Sequence, residues 1–222
     1  MTLKIEFEGT DGAGKTTGLK YLIGKAKTFN LSVVETREVG NPHVPSCVKM
    51  REFVLDPNSN LSGEAMELIF SAMRIESDTW LKNLKNGHNA PDLVISDRGF
   101  FSHLAYGLHN TSENFVTGLF ENLMAKETSL PDIVVYFDVN TETALKRRVK
   151  RGETMDVIEM KGVPYQDKVR DAFDHYLQKY SKSVIVYNVD ANQNIEGVQK
   201  QLDAILNHVR QRLFLAEAEN RQ

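Results

Sequence analysis

Gly9-Thr10-Asp11-Gly12-Ala13-Gly14-Lys15-Thr16-Thr17 is the stretch that decides the fold. It matches G-x-x-x-x-G-K-[ST], the phosphate-binding P-loop pattern. Its glycines allow backbone conformations that a Cβ would disfavour. Successive N–H groups, from Gly9 and Asp11 through Gly12, Ala13 and Gly14 to Lys15, Thr16 and Thr17, can then wrap phosphate oxygens. Lys15 supplies a point charge for the β- and γ-phosphates. The Thr16 hydroxyl can ligate Mg²⁺. A helix opening here turns the positive end of its dipole toward the anion.

The flanks fit. Leu3-Lys4-Ile5-Glu6-Phe7-Glu8 reads as a strand, and Leu19, Leu22, Ile23 and Ala26 recur at helical spacing. Strand, glycine loop and helix is the context a P-loop requires.

Working outward, the 222 residues suit one α/β domain over 1–222 with a sizeable core. The net charge of −3 gives no sign of a nucleic-acid or membrane partner. Basic residues that handle anions should therefore cluster locally. The lone Cys47 permits no internal disulfide, which fits a reducing cytoplasm. No apolar run approaches the ~20 residues of a membrane helix. The first residues enter a strand at once, which leaves no room for a signal peptide.

Five segments read as strands: 3–8, 32–36, 93–96, 133–139 and 184–189. Helical patterns lie between them. The alternation implies a three-layer P-loop NTPase sandwich, with a five-stranded parallel sheet between helices. Ligands bind such sheets at the carboxyl ends of the strands. Asp11, Arg37, Asp97 and Arg98 should meet there.

The first strand carries Lys4 and Glu6 where a central strand would be apolar. A buried Glu6 needs a partner; otherwise one face of this strand is less covered. Residues 63–86 read as a long helix, with Met66, Ile69, Phe70 and Met73 on an apolar stripe. Arg74 follows Phe70 by four residues, on the same face. By itself that pair reads as a core Phe beside a snorkelling Arg. Residues 99–126 are mostly helical. Residues 141–151 begin a helix that ends in Lys146-Arg147-Arg148-Val149-Lys150-Arg151, and 152–164 read as a loop. The last helix, about 195–213, places Ile195, Val198, Leu202, Ile205, Val209 and Leu213 on one stripe, with fraying expected beyond.

The third strand ends in Asp97-Arg98. The Asp suits a Mg²⁺ site. The adjacent Arg puts a cation where a second phosphate would sit. No Asn-Lys-x-Asp guanine motif occurs, which argues against a GTPase. The combination points to a kinase acting on a phosphorylated acceptor.

At this point the chain resembles the thymidylate kinase family. The matching pieces run in family order over nearly the whole length. They are Gly9–Thr17, Thr36-Arg37-Glu38, Phe70-x-x-x-Arg74, Asp97-Arg98 with Ser102 and Ala105-Tyr106, and Pro131-Asp132 before Tyr136-Phe137-Asp138-Val139. Leu145-Lys146-Arg147, Arg151-Gly152-Glu153, Asp156, Glu159, Val169-Arg170 and Asp190-Ala191 follow. No piece after the P-loop is specific alone; the ordered set is.

The resemblance implies transfer of the γ-phosphoryl of ATP to dTMP, with Mg²⁺ held near Thr16, Asp97 and Asp11. Asp11 matches a carboxylate near the sugar 3′-hydroxyl. Arg37 and Arg98 match arginines on the acceptor phosphate. Phe70 matches the ring stacked on thymine and Arg74 the arginine reaching its O4, which reverses the core reading of that pair. Tyr106 matches a tyrosine that crowds the 2′ position. The substrate-side set also includes Ser102 and His103. Arg147, Asp190 and Ala191 match the adenine side. The basic run matches a LID, about 147–163, that closes over ATP. Gly12 stands where some members carry a P-loop arginine, so Arg148 or Arg151 must supply that charge beside Lys15 and Arg98, as in the bacterial-type enzymes. The resemblance also implies a homodimer.

The chain departs from the family pattern at four places. Val39-Gly40-Asn41-Pro42 replaces Pro-Gly-Gly after Thr-Arg-Glu, so the loop holding Arg37 is expected to take its own path. His103 replaces Asn or Thr, and Gly107 replaces Gln. If His103 reads the base, the acceptor range extends to dUMP or 5-substituted dUMP. Val157 replaces an arginine beside the LID aspartate. A deoxynucleoside kinase would carry Glu-Arg-Ser where Asp97-Arg98-Gly99 stands. A P-loop regulator without turnover is the remaining alternative, opposed by the intact Lys15, Thr16 and Asp97.

Overall fold

The computed structural model describes residues 1–108, 111–124, 130–151 and 163–219. Five parallel strands form one sheet: β1 (Leu3–Glu8), β2 (Val33–Arg37), β3 (Leu93–Asp97), β4 (Ile133–Asp138) and β5 (Ile185–Asp190). Their order is β2-β3-β1-β4-β5. The chain therefore leaves β1 toward one edge and later crosses to the other side. This reversal opens a crevice at the carboxyl ends of β1 and β3. Phe7 pairs in register with Asp97, so the P-loop after β1 and Arg98 after β3 emerge side by side.

All eight α-helices among the described residues fall between or after strands. They are α1 (Lys15–Thr28), α2 (Pro45–Leu55), α3 (Gly63–Lys85), α4 (Phe100–Gly107), α5 (Glu113–Met124), α6 (Thr141–Arg151), α7 (Val163–Lys179) and α8 (Ile195–Glu219). One face of the sheet packs Leu3, Ile5 and Phe7 against Leu19, Leu22 and Ala26 of α1 and Leu202, Ile205 and Val209 of α8. The opposite face packs Val134 and Tyr136 against Phe100, Phe101 and Leu104 of α4, Phe120 of α5 and Phe173 and Tyr176 of α7.

The strands sit where the alternation predicts, but β2, β3 and β5 each reach one residue farther. Those added residues are Arg37, Asp97 and Asp190. The 99–126 segment divides into α4 and α5. Helix α2 was not anticipated; Pro45 opens it, where a missing N–H costs nothing. Helix α7 was not anticipated either. Helix α8 continues to Glu219, through alanines and glutamates of good helix propensity.

The polar face of β1 is fully covered rather than exposed. Lys4 Nζ lies 2.8 Å from Glu6 Oε1 and 3.8 Å from Glu38 Oε1. Glu6 also accepts from the Phe100 N–H at 2.9 Å. Burial works against the Lys4 charge, but Glu6 and Glu38 outweigh it and hold the ammonium above its ordinary range. Glu6 thus found its partner two residues away, on the same strand face.

Candidate active site

The loop from Gly9 to Gly14 turns over the end of β1 and hands the chain to α1 at Lys15. Lys15 Nζ donates to the carbonyls of Gly9 at 2.9 Å and Thr10 at 2.8 Å. Burial, then the Arg98 guanidinium, lowers its pKa to about 8 against the pull of Asp11 and Asp97. The Thr16 hydroxyl donates to Asp97 Oδ2 at 2.8 Å. This pair offers only oxygen donors, the chemistry Mg²⁺ takes in phosphate sites, where waters and phosphates complete the shell. No cluster of three or more His, Cys, Asp or Glu suited to a metal occurs among the described residues.

Arg98 sits at the centre. It adopts a left-handed backbone at φ 67°, uncommon for a side-chain-bearing residue. The Ser96 hydroxyl bonds its carbonyl at 2.6 Å. Its Nη1 donates to Gly9 O and to Ser102 Oγ, each at 3.0 Å, and its Nη2 donates to Asp11. The guanidinium lies 4.9 Å from the Tyr106 ring centroid. Tyr106 in turn donates its hydroxyl to Asp11 Oδ2 at 2.9 Å. Burial opposes ionisation of Asp11, yet Arg98 and Lys15 together keep its carboxyl below the usual range.

A cavity of about 380 Å³ opens in front of this cluster. Its lining includes Asp11, Thr16, Asp97, Arg98, Ser102 and Tyr106, together with Arg37, Val39, Arg51, Phe70, Glu67 and His103. The loop after β2 is tied down by two arginines. Arg37 Nε donates to Gly40 O at 3.1 Å, and Arg51 of α2 donates to Val39 O at 2.6 Å. Arg37 still reaches the cavity.

Phe70 lines the cavity, but Arg74 does not. Its side chain is 1 % exposed, so it does not snorkel either. Its Nη2 lies 2.5 Å from Glu38 Oε2, and its guanidinium is 5.7 Å from the rings of both Phe100 and Phe120. Arg74 ties α3 to the loop that carries Arg37.

Helix α4 is buried along its whole length, so its polar residues need internal partners. His103 Nε2 lies 2.8 Å from Glu67 Oε2 of α3. Burial lowers the His103 pKa despite Glu67, so the ring is neutral at neutral pH and donates to the carboxylate through Nε2. Gly107, one turn later, makes this pairing possible. A Cβ there would lie 2.8 Å from Glu67 Oε2. The two departures His103 and Gly107 thus meet at a third residue, Glu67, that the sequence reading passed over.

On the other side of the P-loop a cavity of about 200 Å³ is lined by Ala13, Gly14, Thr17, Tyr21, Arg147, Gln193, Ile195 and Val198. Arg147 is here, with Nη1 3.4 Å from Ala13 O and Nη2 3.4 Å from Gln193 O. Asp190 and Ala191 are not in the lining. Ala191 belongs to the core, and Asp190 holds the turn by accepting from Asn192 N and Gln193 Nε2, each at 3.1 Å. Periodicity had assigned Ile195 and Val198 to the core stripe of α8, which hid their place in this wall.

Arg148 projects from α6 beside Thr10, Asp11 and Ala144. Its Nε and Nη1 are buried and have no hydrogen-bond partner among the described residues. The side chain of Arg151 and residues 152–162, with the Gly152, Glu153, Asp156, Val157 and Glu159 positions of the LID, lie outside the described residues.

A family model described as thymidylate kinase matches residues 7–202. A thymidylate kinase of Campylobacter curvus is 32 % identical over 198 residues, covering 89 % of this chain and 95 % of its own. One of Pediococcus pentosaceus is 30 % identical over 210 residues, covering 92 % and 97 %. One of Mesoplasma florum is 32 % identical over 211 residues, covering 91 % and 93 %. The match spans the P-loop, the Asp97-Arg98 corner and both cavities: the chain belongs to the thymidylate kinase family.

Proposed function

We propose that the protein transfers the γ-phosphoryl group of ATP to dTMP, giving dTDP for deoxynucleotide synthesis. The observation that carries this is the 380 Å³ cavity, whose lining brings together the Thr16–Asp97 pair, Asp11, Arg37, Arg98 and Phe70 around a space sized for a mononucleotide. The roles follow from charge and position. Lys15 and the loop amides hold the donor phosphates, and Thr16 and Asp97 hold Mg²⁺, which when bound neutralises the phosphate oxygens. Arg37 and Arg98 hold the acceptor phosphate and Phe70 stacks on its base. Tyr106 and Asp11 border the sugar. Arg148 approaches the transferring group from α6. Such a transfer needs in-line positioning and charge neutralisation more than covalent chemistry.

The adenine is assigned to the 200 Å³ cavity beside Arg147. We read the chain as one kinase domain whose LID, about 147–163, excludes water when it closes. Two copies associate in this reading, as the family resemblance implies. Leu68 at 55 % and Ile75 at 39 % exposure, seven residues apart on α3, offer an apolar face. No described helix is long and apolar enough to cross a membrane. The reaction is assigned to the cytoplasm, which suits the buried free thiol of Cys47.

The test is coupled ADP release with ATP and Mg²⁺ across dTMP, dUMP, 5-hydroxymethyl-dUMP, dCMP and thymidine. Preference for dTMP is expected. Activity on thymidine alone would remove the acceptor-phosphate roles of Arg37 and Arg98. Nucleotide binding with no acceptor-dependent ADP release would leave only a nucleotide binder.

A further inference from the structure

Glu8 ends β1 with its side chain completely buried, and nothing in the proposed phosphoryl transfer uses it. Yet it lies two bonds from the guanidinium at the centre of the site. Its Oε1 accepts the Ser102 backbone N–H at 3.0 Å, and its Oε2 accepts the Ser102 hydroxyl proton. Ser102 Oγ accepts from Arg98 Nη1 at 3.0 Å. A hydroxyl has one proton to give. With that proton drawn to Glu8, only the lone pairs of Ser102 are left to face Arg98.

We infer that Glu8 is a positioning residue for the acceptor phosphate: its carboxylate sets the direction of the Ser102 hydroxyl, and the hydroxyl holds Arg98 in its phosphate-binding pose. This rests on the proposed role of Arg98. It adds a proton-orientation relay, Glu8 to Ser102 to Arg98, behind the site. A protonated Glu8 would reverse it. A carboxyl O–H donating to Ser102 Oγ would turn the serine proton toward Arg98, donor against donor.

The relay sits where a pH change reaches it. Burial, then Glu6 on the same strand, pushes the Glu8 carboxyl up to about 7, against the Ser102 hydrogen bonds and Arg98. The other charged groups that feel it are Lys15 at the head of α1 and Arg74 on α3. Below about pH 7 the relay is therefore lost and above it the relay is set.

The experiment compares the parent, Glu8→Gln, Ser102→Ala and the double variant on the full chain, by dTMP and ATP KM and by direct dTMP binding. A glutamine has one acceptor oxygen and cannot take both Ser102 donors. Glu8→Gln is expected to raise the dTMP KM roughly tenfold, about 1.4 kcal/mol, with the ATP KM unchanged. The double variant should be no weaker for dTMP than Ser102→Ala, since both break one path. An unchanged dTMP KM in a folded Glu8→Gln, an equal rise in ATP KM, or additive losses would each overturn the relay. If Glu8→Gln does not fold, the parent and Ser102→Ala decide. Their ratio of dTMP KM should move toward one as pH falls through about 7, the substrate's own ionisation cancelling. A ratio flat in pH would overturn the relay. A parent that binds dTMP without transferring phosphate fails the functional reading, while binding by the same variants still tests the relay.

Discussion

Gly12 and Arg148 share one space. A Cβ on Gly12 would meet the Ala144 carbonyl at 2.5 Å and Arg148 Cγ at 3.0 Å. Gly12 is also held at φ 87°, which a side chain disfavours. The position where related loops carry an arginine is here kept empty so that α6 can lie on the P-loop and bring in Arg148. Among the described residues the buried Nε and Nη1 of Arg148 have no hydrogen-bond partner, which leaves donor capacity for a phosphate.

Arg148→Ala is therefore expected to lower kcat by about 10³-fold, in the range of an arginine finger, with little change in the dTMP KM. Arg148→Lys should recover only part, because an ammonium cannot bond bidentately. Gly12→Ala should lower kcat as well and cost roughly 1–3 kcal/mol in denaturant unfolding, from backbone strain. Steady-state kinetics with Arg148→Ala at parent-like kcat would remove Arg148 from the transfer step.

How much of this was legible in the sequence depends on the reach of each signal. The P-loop, β1 and α1 are contiguous, so a nine-residue pattern and its flanks located them. Arg37, Asp97 and Arg98 were legible because strand ends converge in a parallel sheet. Helix α7 was not, since its apolar residues, among them Val169, Phe173 and Tyr176, serve the core of a sheet face that no local pattern reveals. Glu67 was hidden because a glutamate on a helix normally reads as solvated surface. Only the absence of a side chain at Gly107, forty residues away, makes room for it. The fate of Arg74 turned on Glu38, a pairing across two elements that helical spacing does not encode.

A role of the Glu67–His103 pair in base choice is testable, because both residues line the same cavity as Phe70. The His103 ring stands edge-on to Phe70 at 5.9 Å. His103→Asn, which takes the imidazole away from Glu67, and Gly107→Ala, which crowds Glu67, should both alter the turnover ratios among dTMP, dUMP and 5-hydroxymethyl-dUMP. Identical ratios in all three proteins would confine the pair to packing. A stability readout accompanies this. The folded His103 pKa lies below its unfolded value, so on acidification the unfolded chain takes up the proton first. The parent should lose stability relative to His103→Asn as pH falls through about 6.5, which urea titrations at several pH values will show.

Lys15 gives ATP binding its own pH dependence. Its pKa is lowered to about 8, and only the ammonium neutralises phosphate. The ATP affinity should be level below about pH 8 and weaken above it, with a proton taken up on binding there. Calorimetry at about pH 8.5 in buffers of different ionisation enthalpy measures that proton. Uptake near zero would mean that Lys15 stays charged throughout. Lys15→Arg should abolish the dependence, since a guanidinium does not titrate in this range.

The last prediction concerns the buried charges beneath the cavity. Lys4, Glu6, Glu38 and Arg74 join the central strand, the loop after β2 and α3, with contacts of 2.8, 3.8 and 2.5 Å. Removing Arg74 leaves the buried Glu38 with only the more distant Lys4 as a cationic neighbour. Arg74→Ala is therefore expected to cost about 3–5 kcal/mol, the usual penalty for breaking a buried pair from one side. Arg74→Met with Glu38→Gln should cost far less than the sum of the singles, because the orphaned charge disappears. The double variant also separates structure from recognition. It should fold, yet its freed Val39–Gly40 loop should hold Arg37 less well and raise the dTMP KM. A double variant with parent-like dTMP KM would show that this cluster supports the fold alone and leaves the acceptor site untouched.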